Sequence, residues 1–207
     1  MDTRTAIVLL HCFLFAVLVQ SAPVGPGSDP PPAFGEAAER AKVLLEKILK
    51  DLPAVHAITV NAEGLTFDPS AHTTNLQMMV RSLGIPASPV IKPLSERFTL
   101  DMCVSRMMAG CRLYQELLGV LSKRLSGLQD LRVDLRDLLT HITKMKEVAR
   151  LGGDSSDQDP DLDLLLSCLH GNYDVQVAVH LTLTQLRSFC HDLIRSLRAI
   201  SRAAGMH

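Results

Sequence analysis

The sequence predicts an all-α fold, a four-helix bundle of up-up-down-down topology. Three observations carry that expectation. Apolar residues recur at steps of three and four in four long segments. Leu is abundant while Tyr and Trp are nearly absent, which favours helix over strand. The connections between the four segments run long, short, long. At 207 residues and 47% apolar, the chain can bury one ordinary core.

The first 21 residues read as a leader. Arg4 opens it, Ala6 to Val19 is an apolar run broken only by His11, and Ser21 and Ala22 supply small residues before Pro23. This is a secretory signal peptide pattern, with the cut placed after Ser21. The run covers about 14 residues, against the ~20 a membrane span needs. The mature chain is therefore expected outside the cell, with no membrane insertion. Residues 22–33, rich in Pro, Gly and Ser, read as a flexible mature N-terminus. Residues 34–207 read as the helical domain.

The first helix follows. Phe34, Ala37, Ala41, Leu44, Leu45, Ile48, Leu52 and Val55 lie on one side at 100° per residue. Charged residues take the other side, and the helix is expected to end near Pro53. Residues 56–96 are broken by Pro69, Pro86, Pro89 and Pro93. One short extra helix is expected there, over Thr74 to Leu83, with Gly84 as its stop.

The second long helix is expected over Phe98 to Leu125, with Leu100, Cys103, Val104, Met107, Cys111, Tyr114, Leu118, Leu121 and Leu125 on its inner face. Gly127 separates it from the third, Leu128 to Leu151, whose inner residues are Leu131, Leu135, Leu138, Ile142, Met145 and Ala149. An acidic link over 152–163 and a short turn at Leu164 to His170 precede the fourth, Tyr173 to Ala204. The short link between the second and third helices makes them antiparallel neighbours. Each long link, at ~3.3 Å per extended residue, can return along a ~40 Å helix.

Catalytic chemistry finds no footing in this pattern. His141, His180 and His191 stand apart without metal-ligand spacing, and both His180 and His191 are expected to point outward. No phosphate loop or nucleophile elbow is present. No enzyme activity, cofactor or metal is expected. A net charge of −1 argues against a nucleic-acid partner. Asn61, Asn75 and Asn172 all fail the N-glycosylation pattern. Four cysteines follow the leader. Cys111 and Cys190 fall near mid-helix on buried faces, so they form either a bridge or two buried thiols; Cys103 and Cys111 are too far apart along one helix to pair.

The outward faces are then the candidate working surfaces. The first helix shows Lys42, Glu46, Lys47 and Lys50, with Val43 exposed among them. The third shows Val133, Asp137, Thr140, Lys144 and Glu147, with Asp134 at the edge of its apolar stripe. Rigid helix faces suit protein partners, though charge on such a face is ordinarily just solvation. A secreted carrier of a small apolar ligand is the competing class, and it would need a gap in these stripes.

Two segments carry a family resemblance. Ser82-Leu83-Gly84-Ile85-Pro86, and the run Cys103, Gly110, Cys111, Tyr114, Leu118, resemble the interleukin-6 / granulocyte colony-stimulating factor family of long-chain helical cytokines. The Ser82–Pro86 segment favours the colony-stimulating branch over the interleukin-6 branch, the alternative being an interleukin-6-like cytokine using a shared signalling receptor. The chain looks like a divergent, lower-vertebrate member. Cys111 stands where the family has Leu, and Pro93 stands where it has a disulfide cysteine.

The resemblance implies a secreted cytokine that dimerises a class I cytokine receptor in a 2:2 assembly. Signalling through JAK/STAT would then drive granulocyte-lineage proliferation and differentiation. It implies a receptor face of Glu46, Lys47 and Lys50 on the first helix with Val133, Asp134, Asp137, Thr140, Lys144 and Glu147 on the third. A second face would use the short extra helix, where Asn75 replaces the usual acid.

Overall fold

A computed structural model describes residues 32–68, 74–152 and 161–203. The leader over 1–21 and most of the 22–33 stretch lie outside the described residues. Six helices make up the described fold: α1 (Pro32–Thr59), α2 (Thr74–Ser82), α3 (Leu100–Leu121), α4 (Gln129–Val148), α5 (Asp163–Cys168) and α6 (Asn172–Ala203). The all-α expectation holds.

Local signals explain most boundaries. Thr99 caps α3, its Oγ1 accepting from the Met102 N–H at 3.3 Å. Gly127, at φ +95°, turns the chain between α3 and α4 in a backbone region that L side chains avoid. Gly84 ends the α2 region at φ +67°, and a Cβ there would meet the Leu164 side chain of α5 at 2.5 Å. The two short helices are thus held against each other.

The first helix departs from expectation. α1 passes through Pro53 and continues to Thr59. Pro53 lacks the N–H that would close one helical bond, but it sits on the exposed side. Beyond it, Leu52, His56 and Thr59 still bury against the bundle, and that burial carries the helix past the missing bond. α3, conversely, stops at Leu121, four residues earlier than expected.

Side-chain partners across the interfaces define the topology. Lys47 on α1 meets Asp134 on α4, and a side chain at Gly127, just before α4, would meet Ile58 and Thr59 at the far end of α1. Glu46 meets Arg198 on α6 at 3.8 Å, and His56 meets His180. In both pairings one number rises as the other falls, so α1 is antiparallel to α4 and to α6. On α3, Cys103 bonds Ser196, Tyr114 packs on Phe189, and Arg124 beyond its end donates to the Leu169 carbonyl, so α3 is antiparallel to α6. The short 122–128 connection and the Arg132 guanidinium beside Gly119 make it antiparallel to α4. α1 and α3 therefore run one way and α4 and α6 the other: up-up-down-down.

The core is continuous. Phe34, Leu45, Ile48, Leu52, Met107, Tyr114, Leu117, Leu135, Leu138 and Leu183 are all fully buried within it. One close approach in it joins α3 to α6. Gly110 faces the Phe189 ring so closely that a Cβ would stand 2.2 Å from that ring. Tyr114 holds the same ring from the side, with centroids 5.3 Å apart. The absence of a side chain at Gly110 is what lets Phe189 enter.

The first half of α6 is buried nearly all round, from Val177 to Thr184. Its outer side is covered by the chain leaving α1. The Asn61 N–H donates to Gln176 Oε1 at 2.7 Å, and Arg187 Nη1 donates to the Phe67 carbonyl at 3.4 Å. The α1–α2 link thus crosses over α6.

Gly110→Ala is expected to destabilise the fold by about 1–3 kcal/mol through overpacking against Phe189, despite the better helix propensity of Ala. Urea unfolding followed by circular dichroism checks this. The cost should shrink in a Phe189→Leu background, where the ring is gone.

Candidate protein-binding face

The residues proposed for the first receptor face come from two antiparallel neighbours. On α4, Val133, Asp137, Thr140, Lys144 and Glu147 recur at steps of four and three, opposite the buried Leu131, Leu135, Leu138, Ile142 and Met145. They form one exposed stripe. Asp134 sits one position round, half-buried, turned towards α1.

On α1, Val43, Glu46, Lys47 and Lys50 are exposed on the side away from Leu45, Ile48 and Leu52. They do not all face one neighbour. Lys47 reaches α4 and bonds Asp134, with Asp51 also 3.3 Å away. Glu46 turns to Arg198 on α6. Lys47 and Asp134 thus stitch the seam of the α1–α4 face, while Glu46 lies at its edge. The hydrogen bond that Lys47 donates to Asp134 is the main cause of a raised Lys47 pKa; desolvation opposes it and Asp51 adds to it.

Along α4 the remaining charges are locally engaged. Asp137 lies 3.5 Å from Arg136, Lys144 lies 3.9 Å from Glu147, and Thr140 Oγ1 donates to the Arg136 carbonyl at 3.1 Å. These are exposed, water-screened pairs whose side chains a partner can redirect at little cost. Val43 and Val133 add exposed apolar surface to either side of the seam. The face therefore combines a mixed-sign charge stripe with two apolar points on rigid helices.

Asn75, proposed for a second face, falls in the first turn of α2; its side chain lies outside the described residues. Cys111 and Cys190 are free thiols, not a bridge. Both are fully buried, and desolvation pushes both thiols well above their ordinary pKa, Cys190 further through Cys111. No group of three metal-ligating side chains gathers among the described residues. No described helix is long and apolar enough to cross a membrane. A groove of about 600 Å³ lies between the 85–90 segment and α6, lined by Ile85, Pro89, Val90, Gln185, Phe189 and Asp192. It opens on the outside of the bundle.

One polar cluster differs from the sequence expectation. His180 is buried, not outward, and is bonded to His56. The run Val177-Ala178-Val179-His180-Leu181 holds the signal that the expectation missed: it is apolar on every side of the helix, so a histidine within it has no solvent face to occupy.

Because Lys47 is half exposed, the Lys47–Asp134 pair should couple by less than ~1 kcal/mol in a double-mutant cycle of Lys47→Ala and Asp134→Ala, read by urea unfolding. The face should tolerate substitution without melting the bundle.

The sequence is 28% identical over 145 residues to the granulocyte colony-stimulating factor of Bos taurus, spanning 66% of this chain and 67% of the bovine protein. No protein-family model matches the chain. The similarity, on an all-helical bundle, supports a cytokine-like relationship.

Proposed function

We propose that the chain is a secreted cytokine that binds the ectodomain of a class I cytokine receptor, of the granulocyte colony-stimulating factor receptor kind. What carries this reading is the 145-residue similarity to a protein named for colony stimulation. The leader pattern at residues 1–21 supports secretion. The exposed α1–α4 face supports a protein partner, since it offers mixed charge and isolated apolar points on a rigid support.

Such a ligand works by geometry. Its bundle is a spacer, and its action is to hold two receptor chains at a set separation. The first contact is the α1–α4 face: Lys50 and Glu46 at its α1 edge, the Lys47–Asp134 pair at its seam, and Val133, Asp137, Thr140, Lys144 and Glu147 along α4. A second contact at α2, near Asn75, completes a 2:2 assembly. Receptor pairing then activates JAK/STAT signalling and granulocyte-lineage proliferation and differentiation. Nothing in this sequence of events needs a bond made or broken by the ligand.

Asp137 is the most direct probe, being exposed and central in the α4 stripe. Asp137→Arg is expected to weaken binding to the receptor ectodomain at least tenfold, about 1.4 kcal/mol, with helical circular dichroism and melting temperature unchanged. Titration calorimetry against that ectodomain reads the affinity. Unchanged binding would remove the α4 stripe from the contact. A cell assay of receptor-dependent STAT phosphorylation separates the cytokine from an apolar-ligand carrier.

A further inference from the structure

The buried histidine pair joins α1 to α6 at one end of the bundle and has no part in the proposed receptor face. His56 Nε2 lies 2.9 Å from His180 Nδ1, and the two residues are 5% and 4% exposed. Phe67, from the link that crosses α6, stacks on the His56 ring with centroids 4.9 Å apart. Arg187 lies over the same Phe67, 4.3 Å from its centroid. The order outward is therefore His180, His56, Phe67, Arg187.

One bond between two ring nitrogens needs a hydrogen on one and a lone pair on the other. Two neutral rings satisfy this, and so does one neutral ring with one imidazolium, whose cost is then the burial of its charge. Two imidazolium rings set N–H against N–H, lose the bond and bury two like charges. The ionisable groups acting on His56 are His180 and Arg187, both of which oppose a positive ring. In the crossing link, Glu63 is exposed and Asp68 follows Phe67 in sequence. At the α3–α4 end, Lys123 and Asp130 are exposed and Arg124 is turned to the Leu169 carbonyl.

We propose that the His56–His180 pair is an acid-released clasp: neutral, it pins the last turns of α1 to α6, and protonated, it frees that end of the bundle. The idea is independent of the receptor reading.

The sign follows from burial. Desolvation first, then His180 and Arg187, lower His56 from 6.5 to about 4. The unfolded chain therefore takes up a proton near pH 6.5 that the folded chain refuses. The contribution is fully present above pH 6.5 and is lost as pH falls towards 4. At pH 5 it amounts to about a thirtyfold rise in the unfolding constant from His56 alone.

The test compares the full chain with a His56→Gln/His180→Gln variant, whose amides can still bond but cannot titrate. Urea unfolding at pH 7.5 and pH 5.0 should show the wild-type unfolding constant rising about thirtyfold more than that of the variant, carboxylate effects being common to both. Rises equal within threefold would overturn the proposal. Should the variant fail to fold, ring-proton NMR of the wild type decides instead: His56 is expected to show no midpoint above pH 5, and a midpoint near 6.5 refutes the clasp. Amide exchange gives the location. Residues 55–60 should lose protection at pH 5 ahead of residues 138–145, and an equal loss in both segments would contradict a local release.

Discussion

The antiparallel packing of α1 against both α4 and α6 is the constraint on which the other features rest. It fixes the direction of α3 through α4 and α6, and it requires the chain between α1 and α3 to return the length of the bundle. That return path crosses α6 and covers its outer side, as the Asn61–Gln176 and Arg187–Phe67 bonds record. The cover in turn makes the first half of α6 an interior helix. It also gives the α1–α4 face its surface, because the Lys47–Asp134 seam exists only where those two helices run side by side. Direction, burial and face are thus three consequences of one arrangement.

Much of this was legible in the residues, for a physical reason. An amphipathic stripe states both that a helix exists and which side is buried. The inner faces of α3 and α4 follow the stripes drawn from Leu100 to Leu125 and from Leu131 to Ala149 over most of their length, Leu125 and Ala149 falling just beyond the helix ends and only partly buried. The link lengths carried the topology, since a short link forces antiparallel neighbours. Gly84 and Gly127 marked turns because both adopt positive φ. What escaped was set by tertiary burial. Pro53 reads as a stop on local grounds, yet the burial of Leu52, His56 and Thr59 overrides it. His180 reads as outward when α6 is taken as a helix with one wet side, and the covering link removes that side.

The candidate face was legible in a different sense. The exposed stripe on α4 follows from periodicity, but which exposed stripe meets a partner does not. Charge on a helix surface serves solvation and recognition equally well. The assignment of function to Glu46, Lys47, Lys50, Val133, Asp134, Asp137, Thr140, Lys144 and Glu147 rests on resemblance to a cytokine family. The structure contributes the geometry of those residues: a seam at Lys47 and Asp134, a continuous stripe on α4, and Glu46 at the margin facing Arg198.

The central claim is that this bundle acts through the outside of α1 and α4. Hydrogen-exchange mass spectrometry of the chain, free and saturated with a class I receptor ectodomain, tests it most directly. The account predicts new protection in the segments 43–50 and 133–147 and little change over 188–200 of α6. Protection confined to α6, or none at saturating receptor, would contradict it.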